Sequence, residues 1–122
     1  MVQKKKGGEW IVEIWKDVDG YDGKYQVSNW GKVKNTETGN VLTPYLNKKG
    51  YEKVDLYHGR TRRKFRVNRL VAMTFIPNVD NLPQVNHKDG NKLNNSVTNL
   101  EWTDNSGNMK HYWRMRRGMV AI

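Results

Sequence analysis

Val85-Asn86-His87-Lys88-Asp89-Gly90-Asn91-Lys92-Leu93-Asn94-Asn95, followed after three residues by Asn99-Leu100-Glu101-Trp102-Thr103, decides how the second half of this chain folds. The first segment begins as a short strand, Gln84 to Lys88, and then breaks into Asp-Gly and Asn residues that favour turns. Asp89-Gly90 is read as turn chemistry, not as a catalytic acid. The second segment reads as another short strand, around Asn99 to Thr103. Thr103 or Asp104 is placed to cap a last helix running to about Arg117. From residue 84 the order is therefore strand, loop, strand, helix.

Upstream the period is helical. Val67, Leu70, Val71, Thr74 and Phe75 recur at the spacing of one helix face until Pro77 stops the run, and a connector from Pro77 to Pro83 leads to the strand. Before Val67 the apolar residues come in short runs divided by Gly31, Thr38-Gly39, Lys49-Gly50 and His58-Gly59. This predicts strands near Tyr25 to Ser28, Lys32 to Asn35, Val41 to Leu46, Tyr51 to Tyr57 and Arg62 to Val67. The fold class is α+β: an N-terminal antiparallel β meander packed on a helix, followed by a strand-loop-strand-helix unit. Residues 1–8 read as a flexible basic arm, 9–66 as a β-rich region that contacts a polyanion, and 67–118 as the second module, all within one compact unit.

Composition narrows the partner. With 22 Lys and Arg against 12 Asp and Glu in 122 residues, the net charge of +10 favours nucleic acid. Eight basic residues between Lys48 and Arg66 face only Glu52 and Asp55, a local charge of +6. The absence of cysteine excludes disulfides and thiolate zinc sites. No apolar run is long enough to span a bilayer and no secretory signal is evident, so a cytoplasmic protein without a membrane partner is expected.

Leu70-Val71-Ala72, Phe75-Ile76-Pro77-Asn78, the VNHKDGNKLNN stretch and NLEW together resemble the HNH endonucleases of phages and introns, over about residues 67 to 111. Gly20 to Val33, GYDGKYQVSNWGKV, is similar to a motif often placed ahead of such modules in homing endonucleases. The resemblance implies a ββα-metal fold acting on double-stranded DNA, and a phage- or mobile-element-encoded enzyme working in its host's cytoplasm. It implies one divalent cation, Mg²⁺ or Mn²⁺. Hydrolysis of a phosphodiester needs a positioned base and a cation for the developing charge. A histidine, with an ordinary pKa of about 6.5, is neutral often enough near pH 7 to be that base. His87 matches the catalytic histidine. Asn99 matches the middle letter, as a residue that holds the loop or orients His87. Asn108 matches the last letter, which makes the motif an HNN variant. The implied metal ligands are Asn86 and Asn108, with His111, three residues further along the same helical face, competing with Asn108. Position 86 is Asn where some relatives have Asp, and position 68 is Asn where many have His.

Phosphate contacts are expected from Lys48, Lys49, Lys53, Arg62, Arg63, Lys64, Arg66 and Arg69, and from Lys110, Arg114, Arg116 and Arg117 on the last helix. Phe75, Trp102 and Trp113 read as core aromatics in preference to base-stacking ones. A monomer with one active centre should nick one strand, a dimer being the route to a double-strand cut. Related homing enzymes often add a C-terminal helix-turn-helix; with the chain read to Ile122, sequence specificity is expected to be modest, or supplied by the N-terminal sheet or a partner. Two other functions fit the composition: a catalytically weak DNA binder of the same fold, and an RNA-binding protein, which rests on charge and aromatics alone.

Overall fold

The apolar spacing from Val67 to Phe75 produces the one α-helix among the described residues, α1 (Val67–Phe75). Its face at positions i, i+3 and i+4 is fully covered, since Val67, Leu70 and Val71 are each at most 2% exposed. Ile76, the residue before Pro77, already has extended backbone, as the proline ring demands. The structure, a computed structural model, describes residues 3–6 and 9–104. The last helix expected from Thr103 or Asp104 lies outside those residues, with Asn108, Lys110, His111, Trp113, Arg114, Arg116 and Arg117.

Among the described residues ten strands accompany the helix: β1 (Gln3–Lys6), β2 (Glu9–Val12), β3 (Trp15–Asp17), β4 (Tyr25–Ser28), β5 (Val33–Asn35), β6 (Tyr45–Leu46), β7 (Glu52–His58), β8 (Thr61–Arg66), β9 (Gln84–His87) and β10 (Leu100–Thr103). All pairing is antiparallel, in two hairpins, β1-β2 and β9-β10, and two three-stranded sheets, β3-β4-β5 and β6-β7-β8. The class is α+β.

Two details differ from the sequence reading. The expected meander is interrupted between β5 and β6, where an isolated bridge, Lys34 to Val41, ties β5 only to the connecting segment. Pro44 explains the gap: with no N–H to donate, it cuts the strand expected over Val41 to Leu46 down to Tyr45 and Leu46. Within the segment read as a basic arm, Gln3–Lys6 pairs with Glu9–Val12.

The helix lies between the strands and touches β4, β7 and β8 as well as β9 and β10. Val27, Val33, Val54, Leu56 and Leu100 join its buried face in a single core with Tyr21 and Tyr25. Such burial is worth roughly 1.5–3 kcal/mol per large apolar side chain. Tyr25 also donates no freedom to its ring: its hydroxyl accepts the Tyr57 N–H at 3.1 Å, which ties β4 to β7.

The turn Ser28 to Lys32 brings the N-terminal sheet against the second half of the chain. Ser28 Oγ accepts from the N–H groups of Trp30 and Lys32, and Asn29 accepts the Ile14 N–H at 2.7 Å and donates to the Val12 carbonyl. The Asn29 carbonyl then accepts the Val97 N–H at 2.9 Å. Gly31 has φ +86°, and a Cβ there would sit 2.7 Å from Asn95 Cβ and 2.8 Å from the Asn95 carbonyl oxygen. Gly31→Ala is therefore expected to destabilise the protein by about 2 kcal/mol or more, from backbone strain and overpacking together. Denaturant unfolding against wild type measures this, and an unchanged midpoint would contradict the close approach.

Candidate active site

His87 ends β9 and is 6% exposed, opposite Leu100 in the hairpin. Its Nε2 lies 2.7 Å from Asn95 Oδ1, and Nδ1 has no hydrogen-bond partner among the described residues. Asn95, 4% exposed, donates from Nδ2 to Glu52 Oε1 at 2.8 Å. The Tyr51 ring packs beside the imidazole, with centroids 5.9 Å apart and planes inclined by 34°. The Arg66 guanidinium and the Lys92 ammonium in turn lie 4.4 and 4.8 Å from the Tyr51 ring centre.

The loop after His87 is a series of side-chain-capped turns. Gly90, with φ +75°, closes the first by donating to the His87 carbonyl, as expected of Asp89-Gly90. Asp89 accepts from Asn91 N–H at 2.7 Å, Asn94 Nδ2 at 3.0 Å and Asn99 Nδ2 at 2.9 Å. The hydrogen bond from Asn94, then those from Asn91 and Asn99, hold its carboxyl below the ordinary carboxylate range. Asn99 also donates to the Asn94 carbonyl and accepts the Asp89 N–H, while its own carbonyl accepts the Lys88 N–H. Of the two jobs expected for Asn99, holding the loop is the one these bonds describe. The bond to His87 comes from Asn95.

Asn86 lies across the hairpin from Glu101 and donates to its Oε1 at 3.0 Å. The Asn86 carbonyl oxygen and the carboxylate beside it are hard donors suited to Mg²⁺ or Mn²⁺. Among the described residues no group of three His, Cys, Asp or Glu side chains converges as a complete metal site. Asn68 is 2% exposed and its Oδ1 accepts no hydrogen bond among the described residues, so it faces the interior.

The register of β7 with β8 sorts the basic residues. Arg62, Lys64 and Arg66 alternate onto one face, opposite Tyr57, Asp55 and Lys53, whereas Arg63 is on the face of Leu56 and Val54. Asp55 is engaged there by the Tyr45 hydroxyl at 2.5 Å and by Arg62 at 3.8 Å. Through Arg66 and Tyr51 this basic face runs up to His87. Lys48 and Lys49 occupy the exposed turn before β7. Arg69 braces the connector instead, donating to the Pro83 carbonyl at 2.7 Å. Trp102 is buried and donates to the Ile76 carbonyl at 2.9 Å, a core role as expected.

Residues 65–110, which include all of β9, the loop and β10, match the HNH endonuclease family, and residues 13–57 match the NUMOD4 motif. DNA endonuclease I-HmuI of Bacillus phage SP01 is 41% identical over 108 residues, 88% of this chain and 61% of that relative. The chain is a homologue of the HNH homing endonucleases. H-N-H endonuclease F-TflII of Escherichia phage T5 is 35% identical over 79 residues, 63% of this chain and 41% of that relative. A solved structure, described as DNA binding and cleavage by the HNH homing endonuclease I-HmuI, superposes with a TM-score of 0.71 at 42% identity, covering 86% of this chain and 59% of that one. The chain thus spans about three fifths of the length of I-HmuI. Among the described residues no helix is long and apolar enough to cross a membrane.

Sequence reasoning missed Glu52, Tyr51, Asn95 and Glu101 as neighbours of the site. Glu101 alone had a local signal, since two paired strands place it opposite Asn86.

Because the folded pKa of Asp89 is depressed, its contribution to stability is present above the unfolded pKa and is lost as pH falls through the folded one. The difference in melting temperature between wild type and Asp89→Asn should be full above about pH 5 and close below about pH 4. A gap independent of pH would show that the charge of Asp89 does not hold the loop.

Proposed function

We propose that this chain is a metal-dependent DNA endonuclease in which His87 is the general base. One observation supports this above the others: the imidazole is held through Nε2 while Nδ1 has no hydrogen-bond partner among the described residues, at the end of a basic face. Nδ1 takes the proton of the attacking water, and the histidine's burial beside Tyr51 fixes where that water must stand. Asn99 keeps the loop rigid behind it.

The cation, one Mg²⁺ or Mn²⁺, supplies charge stabilisation at the phosphate and the leaving oxygen when bound. Asn86 through its carbonyl oxygen, with Asn108 or His111, is proposed to hold it. Glu101 restores beside Asn86 the negative charge that an amide at position 86 lacks. Phosphate oxygens of the substrate complete such a shell.

Double-stranded DNA is the proposed partner, and the fold match to I-HmuI supports it. Lys53, Arg62, Lys64 and Arg66 present one cationic face, extended by Lys48 and Lys49, whereas Arg63 lies on the opposite face of β8. Lys110, Arg114, Arg116 and Arg117 are proposed to contact the DNA backbone as well. These groups position the duplex without reading its bases. A single active centre acts on a single strand, so the monomer is proposed to nick, in the cytoplasm of a host cell.

Supercoiled plasmid with Mg²⁺ or Mn²⁺ should pass to open circle before linear form, and His87→Ala should lower the rate by roughly 10²–10⁴-fold. Equal cleavage by His87→Ala removes the proposed base, and salt-sensitive binding without cleavage in any divalent metal would favour the catalytically weak DNA binder. Lys64→Ala should weaken duplex binding and reduce the slope of log affinity against log salt by about one. Titration at several salt concentrations reads that slope, and an unaltered slope would take the β7-β8 face away from the phosphates.

A further inference from the structure

We propose that Glu52 and Asn95 are positioning residues that set the tautomer of His87, so that the N-terminal motif region completes the active centre of the HNH module. The inference deepens the reading of His87 as the base and rests on it.

The direction of the hydrogen-bond chain follows from what each group is able to do. An ionised carboxylate only accepts. Glu52 Oε1 therefore faces the amide nitrogen of Asn95, at 2.8 Å. With Nδ2 turned to Glu52, Asn95 has only its oxygen to offer His87, at 2.7 Å. A carbonyl oxygen cannot donate, so Nε2 of the imidazole carries the hydrogen, and Nδ1 of the neutral ring keeps its lone pair. One acidic side chain, two bonds removed from the imidazole, thereby decides which nitrogen is basic.

The surroundings keep this chain from rotating. Asn95 is nearly buried, and the backbone at Gly31 leaves no room behind it. Val97, two residues on, is bound to the Asn29 carbonyl. The charged groups around the ring are arranged without displacing the chain: Arg66 and Lys92 lie on the Tyr51 ring, Lys88 is exposed, and Asp89 is engaged by the loop. Glu52 lies in the span that matches the NUMOD4 motif, residues 13–57, and His87 and Asn95 in the span that matches the HNH family, residues 65–110. The relay thus crosses from one matched segment to the other.

The test uses the full chain with ¹⁵N-labelled histidine. Long-range proton-nitrogen spectra at about pH 8, where a free imidazole is neutral, should show His87 protonated on Nε2, its signals identified by their loss in His87→Ala. Glu52→Ala and Asn95→Ala should mix in the Nδ1-protonated form and slow single-turnover cleavage by about 10-fold or more. Their duplex Kd, measured without divalent metal, should change by less than about twofold, which separates positioning from binding. Glu52→Gln matches the wild-type side chain in size, and its amide is able to present either atom to Asn95. It should fall between the two, and it answers the question if the alanine variant fails to fold. Nδ1 protonation in the wild type, or an unchanged tautomer and cleavage rate in Glu52→Ala and Glu52→Gln, would overturn the proposal. Undiminished cleavage by His87→Ala would remove the base itself, whereas the nitrogen spectra report the hydrogen-bond chain whether or not His87 is the base.

Discussion

The burial of α1 on both sides is the constraint on which the rest depends. Val67, Leu70 and Val71 have no solvent face left, because the sheets containing β4, β7 and β8 cover one side and the β9-β10 hairpin is packed on the same helix. A two-stranded hairpin is marginal in water on its own. Here it is stable because Leu100 and Trp102 extend the core that the sheets begin. The position of His87 at the end of β9 is inherited from that packing.

Around this apolar scaffold the polar work is done largely by amides. Asn29, Asn95 and Asn99 each accept at Oδ1 and donate from Nδ2, so they link groups that would repel or ignore one another, while Asn91 accepts and Asn94 donates within the loop. In a chain with a net charge of +10, neutral linkers hold a loop together without adding to the surrounding field. Asp89 is the exception, and three donors converge to keep it ionised. Asn68 goes the other way, with a buried oxygen that accepts no hydrogen bond among the described residues.

Much of this was legible in the residues. Period-two runs between turn residues located β4, β5, β7 and β8, and a period of 3.6 located α1, because each pattern reflects a face that must be buried. The strand around Val41 was overextended, since its apolar residues outweighed a proline whose effect on the ladder is local. His87 stood out through the residues around it. Asn95 did not, being one of several asparagines in a turn-rich stretch that only folding distinguishes. Glu52 was hidden more deeply: 43 residues separate it from Asn95, and no spacing rule connects them. The run Arg62-Arg63-Lys64 looked uniform in sequence, yet alternation in β8 sends its middle member to the other face.

The contact of Gly31 with Asn95 has a bearing on how such proteins diversify. Segments that recur in different combinations invite the view that they are interchangeable cassettes, joined wherever a loop permits. A crossover placed between β7 and α1 would cut through a tightly packed backbone contact and leave each half with an incomplete surface. Recombination that preserves the fold has to carry the Ser28 to Lys32 turn, Glu52 and the loop after His87 together, so these distant stretches are inherited as a unit although the chain separates them.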